Sequence, residues 1–486
     1  MSLSPSLSPA TPHPSSRRTA ATRPWLRLLP ETRTPDAPAQ RTRPALPALP
    51  ALPALPAVVG ADELVPTIHG DLLTYANFDH GASTPALTSV AAAVEAATRT
   101  YSSVHRGKGW NSRISSALYE AARDKVARFV GARPGDEVIF TRNTTDSFNL
   151  LASALPRDTL VLVFSSEHHA TLLPWDARRT VRLPVPVTTA DAEALLRAGL
   201  AETAHHRGPR LVVLNGASNV TGEYWPLHRL VPIAKAAGAR VALDAAQLAP
   251  HGRVDLTELD VDYVAFSGHK IYAPYGAGVL AGRSDWLDAA RPYLAGGGAT
   301  KEVGPHHTEW QRGPARHEAG SPNTLGAIAL AAACAALTEH HEALIAHERS
   351  ITERLTTGLR AIDGVTTYSL FGDGHDRAPV VTFTIDGLEP SLVSAALSAE
   401  YAIGVRDGKF CAHLLVDALL EDTNEAASSA IRVSAGLATT DEHVERLLTA
   451  VATLATEGPG TAYTHVDGHG WEPADDPRDL TIPRLW

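Results

Sequence analysis

Ser267-Gly-His-Lys270 follows a short apolar run, Val261-Asp-Tyr-Val-Ala-Phe266, and a second run just upstream, Arg240-Val-Ala-Leu-Asp244, ends in an acid. An aspartate closing one predicted strand and a lysine just past the next suit the chemistry of pyridoxal phosphate. The lysine amine forms a Schiff base with the cofactor aldehyde. The aspartate keeps the pyridinium nitrogen protonated, so that the ring acts as an electron sink. Other polar groups fall at the ends of neighbouring apolar runs: Ser165-Ser-Glu-His-His169, Asn215-Gly-Ala-Ser-Asn219 and Asp244-Ala-Ala-Gln247. Thr144-Thr145 opens a predicted helix, where free N–H groups and the positive dipole end suit a phosphate. Each feature alone has a plainer reading: a helix cap, a solvated turn, a surface His pair. Their joint placement is much harder to produce by chance.

The elements that must position these groups alternate. Short apolar strands are predicted at 137–140, 160–164, 210–214, 240–244 and 261–266, with helices at 85–101, 115–130, 144–155 and 227–237. Asn143, Thr144 and Thr145 are good capping residues for the third of these helices. The alternation predicts an α/β fold with a mostly parallel sheet, in which ligands bind at the carboxyl ends of the strands. Residues 277–281, close behind Lys270, predict one antiparallel strand. An Ala-rich helical region, 325–360, leads into strands at 380–385 and 431–434 and helices at 391–400 and 442–454, a smaller α+β unit. The expected organisation is a tail over 1–60, a large domain over 61–345 with 61–80 packing on the small one, a small domain over 346–457, and an irregular end over 458–486.

The ordered motifs Phe78-Asp-His-Gly-Ala-Ser83, Val104-His-Arg-Gly107, Arg142-Asn-Thr-Thr-Asp146, Glu167-His-His-Ala170, Ser218-Asn-Val-Thr-Gly222, Asp244-Ala-Ala-Gln247, Ser267-Gly-His-Lys270 and Glu318-Ala-Gly-Ser-Pro-Asn-Thr324 resemble those of the class V aminotransferase group, fold type I. Within it the chain is similar to the group II cysteine desulfurases and selenocysteine lyases, over roughly residues 70–455. The resemblance implies a seven-stranded, mostly parallel sheet in the large domain and pyridoxal phosphate as cofactor. It implies that Lys270 is the Schiff-base lysine and the acid/base at the substrate α-carbon, that Asp244 pairs with the pyridine nitrogen and that His168 stacks on the ring. Gln247 and Asn219 would contact the ring hydroxyl side, and Thr144, Thr145, Ser267 and His269 would hold the phosphate. Thr324 would reach the phosphate of a neighbouring subunit, implying a homodimer. Arg432 would grip the substrate carboxylate, as its bidentate fork allows.

Cys411 decides the reaction. Gly404-Val-Arg-Asp-Gly-Lys-Phe-Cys-Ala-His413 resembles the family's Arg-x-Gly-x-x-Cys-Ala loop, with Arg406 and Gly408 in step. The implied reaction takes sulfur from L-cysteine as a Cys411 persulfide and leaves L-alanine. Lys409, Arg406 and His413 are expected to favour the thiolate. Lys409-Phe410 stands where the family has His-His, Leu414-Leu-Val-Asp417 where it has a Pro-containing continuation, and Trp110-Asn111 where many desulfurases have His-Thr. These positions are expected at the substrate entrance. A cysteine whose sulfur chemistry has been lost therefore stays open, as do an epimerase, a C–S lyase or an aminotransferase acting on another amino acid, since all share one cofactor cradle. A binding module without activity and a sulfur-relay component docking through the tail are the remaining readings.

The composition is compatible with these readings. The chain has 486 residues, 44% of them hydrophobic, a formal charge of −10 and a pI near 6.1. The acidic balance argues against nucleic acid as a partner, and no apolar stretch is long enough to span a bilayer. Two cysteines make no disulfide framework, which suits a reducing, cytoplasmic setting; Cys334, in an Ala-rich run, reads as a buried helical thiol. Residues 46–57 repeat Leu-Pro-Ala four times, a pattern that forbids helix and sheet. The first 60 residues thus read as a disordered tail or an over-extended start, with a transit peptide second. His341 and His347 are six apart and cannot share a helix face as zinc ligands, so no metal is expected. Gly296-Gly-Gly298 lacks the lysine of a phosphate-binding loop and reads as a flexible loop near the active site. An amino acid substrate, with L-cysteine favoured, and a sulfur-acceptor protein are the partners expected.

Overall fold

The protein is described from a computed structural model that defines residues 54–421 and 428–481. Its main sheet has seven strands, in spatial order Asp136–Thr141, Gly278–Arg283, Tyr263–Ser267, Arg240–Asp244, Arg210–Asn215, Leu160–Phe164 and Thr180–Leu183. Gly278–Arg283 runs antiparallel to both neighbours, and the other contacts are parallel. Burial on both faces explains why the strands read as continuous apolar runs rather than alternating ones. Val241 and Leu243 join the core on one face and Ala242 the core on the other; Val264 and Phe266 divide from Tyr263 and Ala265 in the same way.

The second core lies on a four-stranded sheet ordered Val365–Tyr368, Val380–Ile385, Ala430–Ser434 and Arg406–Gly408. Phe383, Ile431 and Val433 pack there against Ile351 and Leu355 of one helix, Val393 and Leu397 of another, and Val444 and Leu447 of a third. Ala76 and Phe78 belong to this core too, and Ala76–Asn77 pairs in parallel with Ile403–Gly404. The chain thus joins the small-sheet core before it lays the first strand of the main sheet.

Several expectations shift. The tail expected over 1–60 lies, as far as residue 53, outside the described residues; beyond it, Val58 bridges to Leu87 and the Val59 N–H donates to Ala86 O at 2.9 Å. The second expected helix begins five residues early, as Trp110–Phe129. The helical region 325–360 is two helices, Thr324–Glu339 and His341–Arg360, parted at His340. The end expected to be irregular carries a hairpin, Tyr463–Val466 with Gly470–Pro473. Long-range contacts hold it: the Tyr463 hydroxyl donates to Glu400 at 2.9 Å and the Trp471 N–H to Glu389 at 3.0 Å.

Candidate active site

Parallel strands end on one side of a sheet, and here their ends meet. Asn215 and Asp244 are register partners at the last positions of adjacent strands, and Asp244 is paired with Ala265 of the next. Past Ser267 a single 3-10 turn, Gly268–Lys270, brings the lysine back over those ends. Only glycine fits at 268, since a Cβ there would lie 2.7 Å from Ala277 O and 2.9 Å from Ala273 O. Thr84 fixes the turn from outside: its N–H donates to His269 O at 2.7 Å, and its hydroxyl accepts the Tyr272 N–H at 2.7 Å.

The helix Thr144–Ala154 starts beside this turn. Asn143 caps it, accepting the Asp146 N–H at 3.0 Å. Ser267 Oγ accepts the Thr144 N–H at 2.8 Å and lies 2.7 Å from the Thr144 hydroxyl. Gly278, on the antiparallel strand, lets the helix start approach; a Cβ at that position would come within 2.6 Å of Asn143 Cα.

A cavity of about 230 Å³ gathers Thr144, Thr145, His168, Asn219, Asp244, Gln247, Ser267, His269, Lys270, Arg406, Cys411 and Arg432 in its lining. Thr324, the remaining candidate, starts the helix Thr324–Glu339, is buried, and lies outside this cavity of its own chain. Trp110 and Asn111, expected at the entrance, are not in the lining, and Trp110 is 71% exposed at its helix start. Gly296–Gly298 is not in the lining either; Gly320 N–H donates to Gly297 O at 2.8 Å, and Arg106 holds Gly320 O at 3.2 Å.

The electrostatics set the protonation states. Burial pulls the Lys270 amine down to about 8, against the opposing pull of Asp244. Burial, then the Lys270 charge, pulls His168 down to about 3, so its ring is neutral. His168 Nδ1 accepts the Ala170 N–H at 3.0 Å, which leaves the ring proton on Nε2. Burial raises the Asp244 carboxyl, while the Thr171 hydroxyl and the Ala246 N–H favour its charged form. Glu167, fully buried, is pushed well above the usual carboxylate range by burial and by Asp244.

Arg432 sits beside Arg406 across the small sheet. Its Nη1 donates to Asn219 O and its Nη2 to Asp79, both at 2.9 Å. Burial lowers its pKa, and Asp79 opposes that fall. The Cys411 loop is tied to the large sheet at two points: Asn219 Nδ2 donates to Phe410 O and the His169 N–H to Cys411 O, both at 2.8 Å. Cys411 is exposed at the mouth. Of the groups expected to favour its thiolate, Lys409 is paired with Asp417, and the His413 ring lies edge-on to His169 at 4.6 Å.

These residues fit pyridoxal phosphate. Hydroxyls and a helix start suit its phosphate, the buried Asp244 suits a basic ring nitrogen, and the Lys270 amine suits its aldehyde. Gln247 Nε2 donates to Gly81 O at 2.7 Å, and its buried Oε1 has no partner within the described protein, which leaves an acceptor for a ring hydroxyl. The sequence reading missed Asp79, Thr171 and Phe410. Asp79 stood inside a quoted motif without a role, and Thr171 lay one residue past another. Phe410 was noted only as a departure.

Comparison with known proteins agrees with this chemistry. A probable cysteine desulfurase of Vibrio cholerae is 32% identical over 400 residues, covering 79% of this chain and 94% of that protein. One of Aeropyrum pernix is 35% identical, covering 78% and 94%. The apo structure of a cysteine desulfurase from Thermococcus onnurineus superposes with a TM-score of 0.70 at 30% identity, covering 78% of this chain and 94% of that one. Residues 76–447 match the family described as Aminotransferase class-V. That match spans more than half of the sequence and both sheets, so the chain belongs to the class-V aminotransferase family.

Proposed function

We propose that the protein is a pyridoxal phosphate-dependent cysteine desulfurase that converts L-cysteine to L-alanine and leaves the sulfur on Cys411. The observation that carries the reading is a thiol at the mouth of the same cavity whose floor bears a lysine amine and a buried carboxyl. The named relatives support it: two are described as probable cysteine desulfurases and one as a cysteine desulfurase, each matched over 94% of its length.

In this reading Thr144, Thr145, Ser267 and His269 would hold the cofactor phosphate, Asp244 would serve the ring nitrogen, His168 the ring face, and Gln247 and Asn219 the hydroxyl side. The bound cofactor supplies an electron-withdrawing ring that stabilises negative charge at the substrate α-carbon. Arg432 takes the substrate carboxylate and Arg406 adds positive charge beside it. The Lys270 amine removes the α-proton and later returns a proton. The Cys411 thiolate attacks the substrate sulfur; an S–S bond forms as the C–S bond breaks, and the carbon keeps the electron pair and is protonated. The balance is L-cysteine plus the Cys411 thiol giving L-alanine plus the Cys411 persulfide.

A small domain over 346–457 beside a large one over 61–345 is part of the proposal; the cluster running from Ile351 to Leu454 supports it, while Tyr368, Phe410 and Leu415 pack into the core of the large one. Thr324, placed outside its own cavity, suits a role toward a second copy, and a homodimer is part of the proposal. A sulfur-acceptor protein would collect the persulfide. No helix among the described residues is long and apolar enough to cross a membrane, and a cytoplasmic setting is the one that keeps the thiol reduced.

The test is to incubate the holoenzyme with L-cysteine and a thiol reductant and to quantify alanine and sulfide for wild type and Cys411→Ala. Equal amounts of the two products, lost in the variant, are expected. Alanine formation indifferent to the variant would remove Cys411 from the reaction, and no alanine from wild type would overturn the desulfurase reading.

A further inference from the structure

We infer that Phe410 is a positioning residue for substrate binding: its ring, one wall of the catalytic cavity, holds the Arg432 guanidinium in the orientation that receives the substrate carboxylate. This rests on the desulfurase reading only in taking the ligand to be an amino acid.

The backbone comes first. Phe410 and Cys411 have φ of +50° and +55°, two successive non-glycine residues in the left-handed region. Such residues persist where the surroundings over-determine them, and they cluster at functional sites. Here the surroundings are three hydrogen bonds of 2.8 Å: Asn219 Nδ2 to Phe410 O, His169 N–H to Cys411 O, and Ala412 N–H to Lys409 O. The turn sends neighbouring side chains to opposite ends of the substrate volume. Cys411 is exposed at the mouth, while Phe410, 4% exposed, lines the interior.

The guanidinium needs such a wall. Arg432 is 2% exposed, with Arg406 beside it across the sheet and Asp79 its only ionic partner among the described residues. Its carbon Cζ lies 5.2 Å from the centroid of the Phe410 ring. A ring on the face of a guanidinium attracts the cation and leaves the in-plane N–H edges free for a carboxylate. One such edge is uncommitted: Nε is buried with no partner within the described protein, whereas Nη1 and Nη2 are bonded to Asn219 O and Asp79. Phe410 therefore fixes the plane of the fork and Asn219 and Asp79 fix its rotation within that plane. Asn219 takes Arg432 on its backbone carbonyl and holds the Phe410 carbonyl with its side-chain amide, so a single residue couples the carboxylate grip to the sulfur-accepting loop.

The experiment compares Phe410→Leu, which keeps the apolar bulk without a π face, with Phe410→Tyr, which keeps the ring. L-Alanine is titrated into each holoenzyme and followed by cofactor absorbance, alongside KM and kcat for L-cysteine. For Phe410→Leu the alanine dissociation constant and KM are expected to rise about tenfold, a typical loss for a desolvated cation–π contact, with kcat nearly unchanged; Phe410→Tyr is expected to match wild type. Phe410→Met is read in the same way should the leucine variant not retain cofactor. Wild-type alanine affinity in the ring-less variants, or equal losses in Phe410→Tyr, would overturn the inference. A wild type that binds alanine but makes none from L-cysteine would overturn the desulfurase reading and leave this one standing.

Discussion

Two arginines, one half-buried and one buried, teach opposite lessons. Arg123 donates to both oxygens of Glu318, at 2.8 and 2.9 Å, to Val138 O at 2.6 Å and to Glu120 at 3.2 Å, and it lies over the rings of Tyr119 and Phe140. Glu318 in turn accepts the Phe140 N–H at 2.7 Å and the Tyr119 hydroxyl at 2.9 Å. Burial works against the Arg123 charge, yet the Glu318 contacts more than restore it and hold its pKa above the ordinary value. Arg432 is hydrogen-bonded at two points, its Nε has no partner among the described residues, and burial lowers its pKa. A completed network holds the fold, whereas an incomplete one, bordered by the buried Gln247 Oε1, is what a ligand completes. Unpaired buried polar groups are costly, so where several line one cavity they mark function rather than support.

The sharpest way to break the contrast is to remove a group on the incomplete side. Lys270→Ala is expected to leave a folded protein that no longer bonds the cofactor and turns over at least about 10³-fold more slowly, the scale of a lost acid/base group; absorbance and alanine formation report both. On the completed side, Glu318→Ala leaves Arg123 with the half-exposed Glu120 as its ionic partner, strips the Phe140 N–H and the Tyr119 hydroxyl of their acceptor, and is expected to cost about 3 kcal/mol of stability in denaturant unfolding. Cofactor absorbance would persist in that variant under native conditions. The finest test is a titration. Lys270 has its pKa lowered to about 8, chiefly by burial, so the reactive neutral amine gains population as pH rises through that value. The rate at which apoprotein captures pyridoxal phosphate is therefore expected to climb with a midpoint near pH 8, where an ordinary lysine would climb only near 10.4.

What the sequence made legible follows the same contrast. Strands buried on both faces announce themselves as apolar runs, and Asp244, Ser267 and Asn215 stand out as the polar residues that end them. Residues defined by a distant partner do not announce themselves: Asp79 meets Arg432 across 353 positions and Thr171 meets Asp244 across 73. Phe410 stands out only as a departure expected at the substrate entrance, because an aromatic ring carries no mark of facing a cation. The break at His340 is hidden because the Ala-rich run has no proline or glycine there, and the hairpin near the end is fixed by Glu389 and Glu400, far away in sequence.

Gly278 gives the last consequence. A hydrogen atom in place of a Cβ separates the antiparallel strand from Asn143, and so sets how closely the start of the Thr144 helix approaches the Ser267 turn. In evolutionary terms that position is a locked gauge. Even alanine, the smallest change available, would push the helix start and the turn apart, so drift through residue 278 is closed although the residue bears no chemistry of its own.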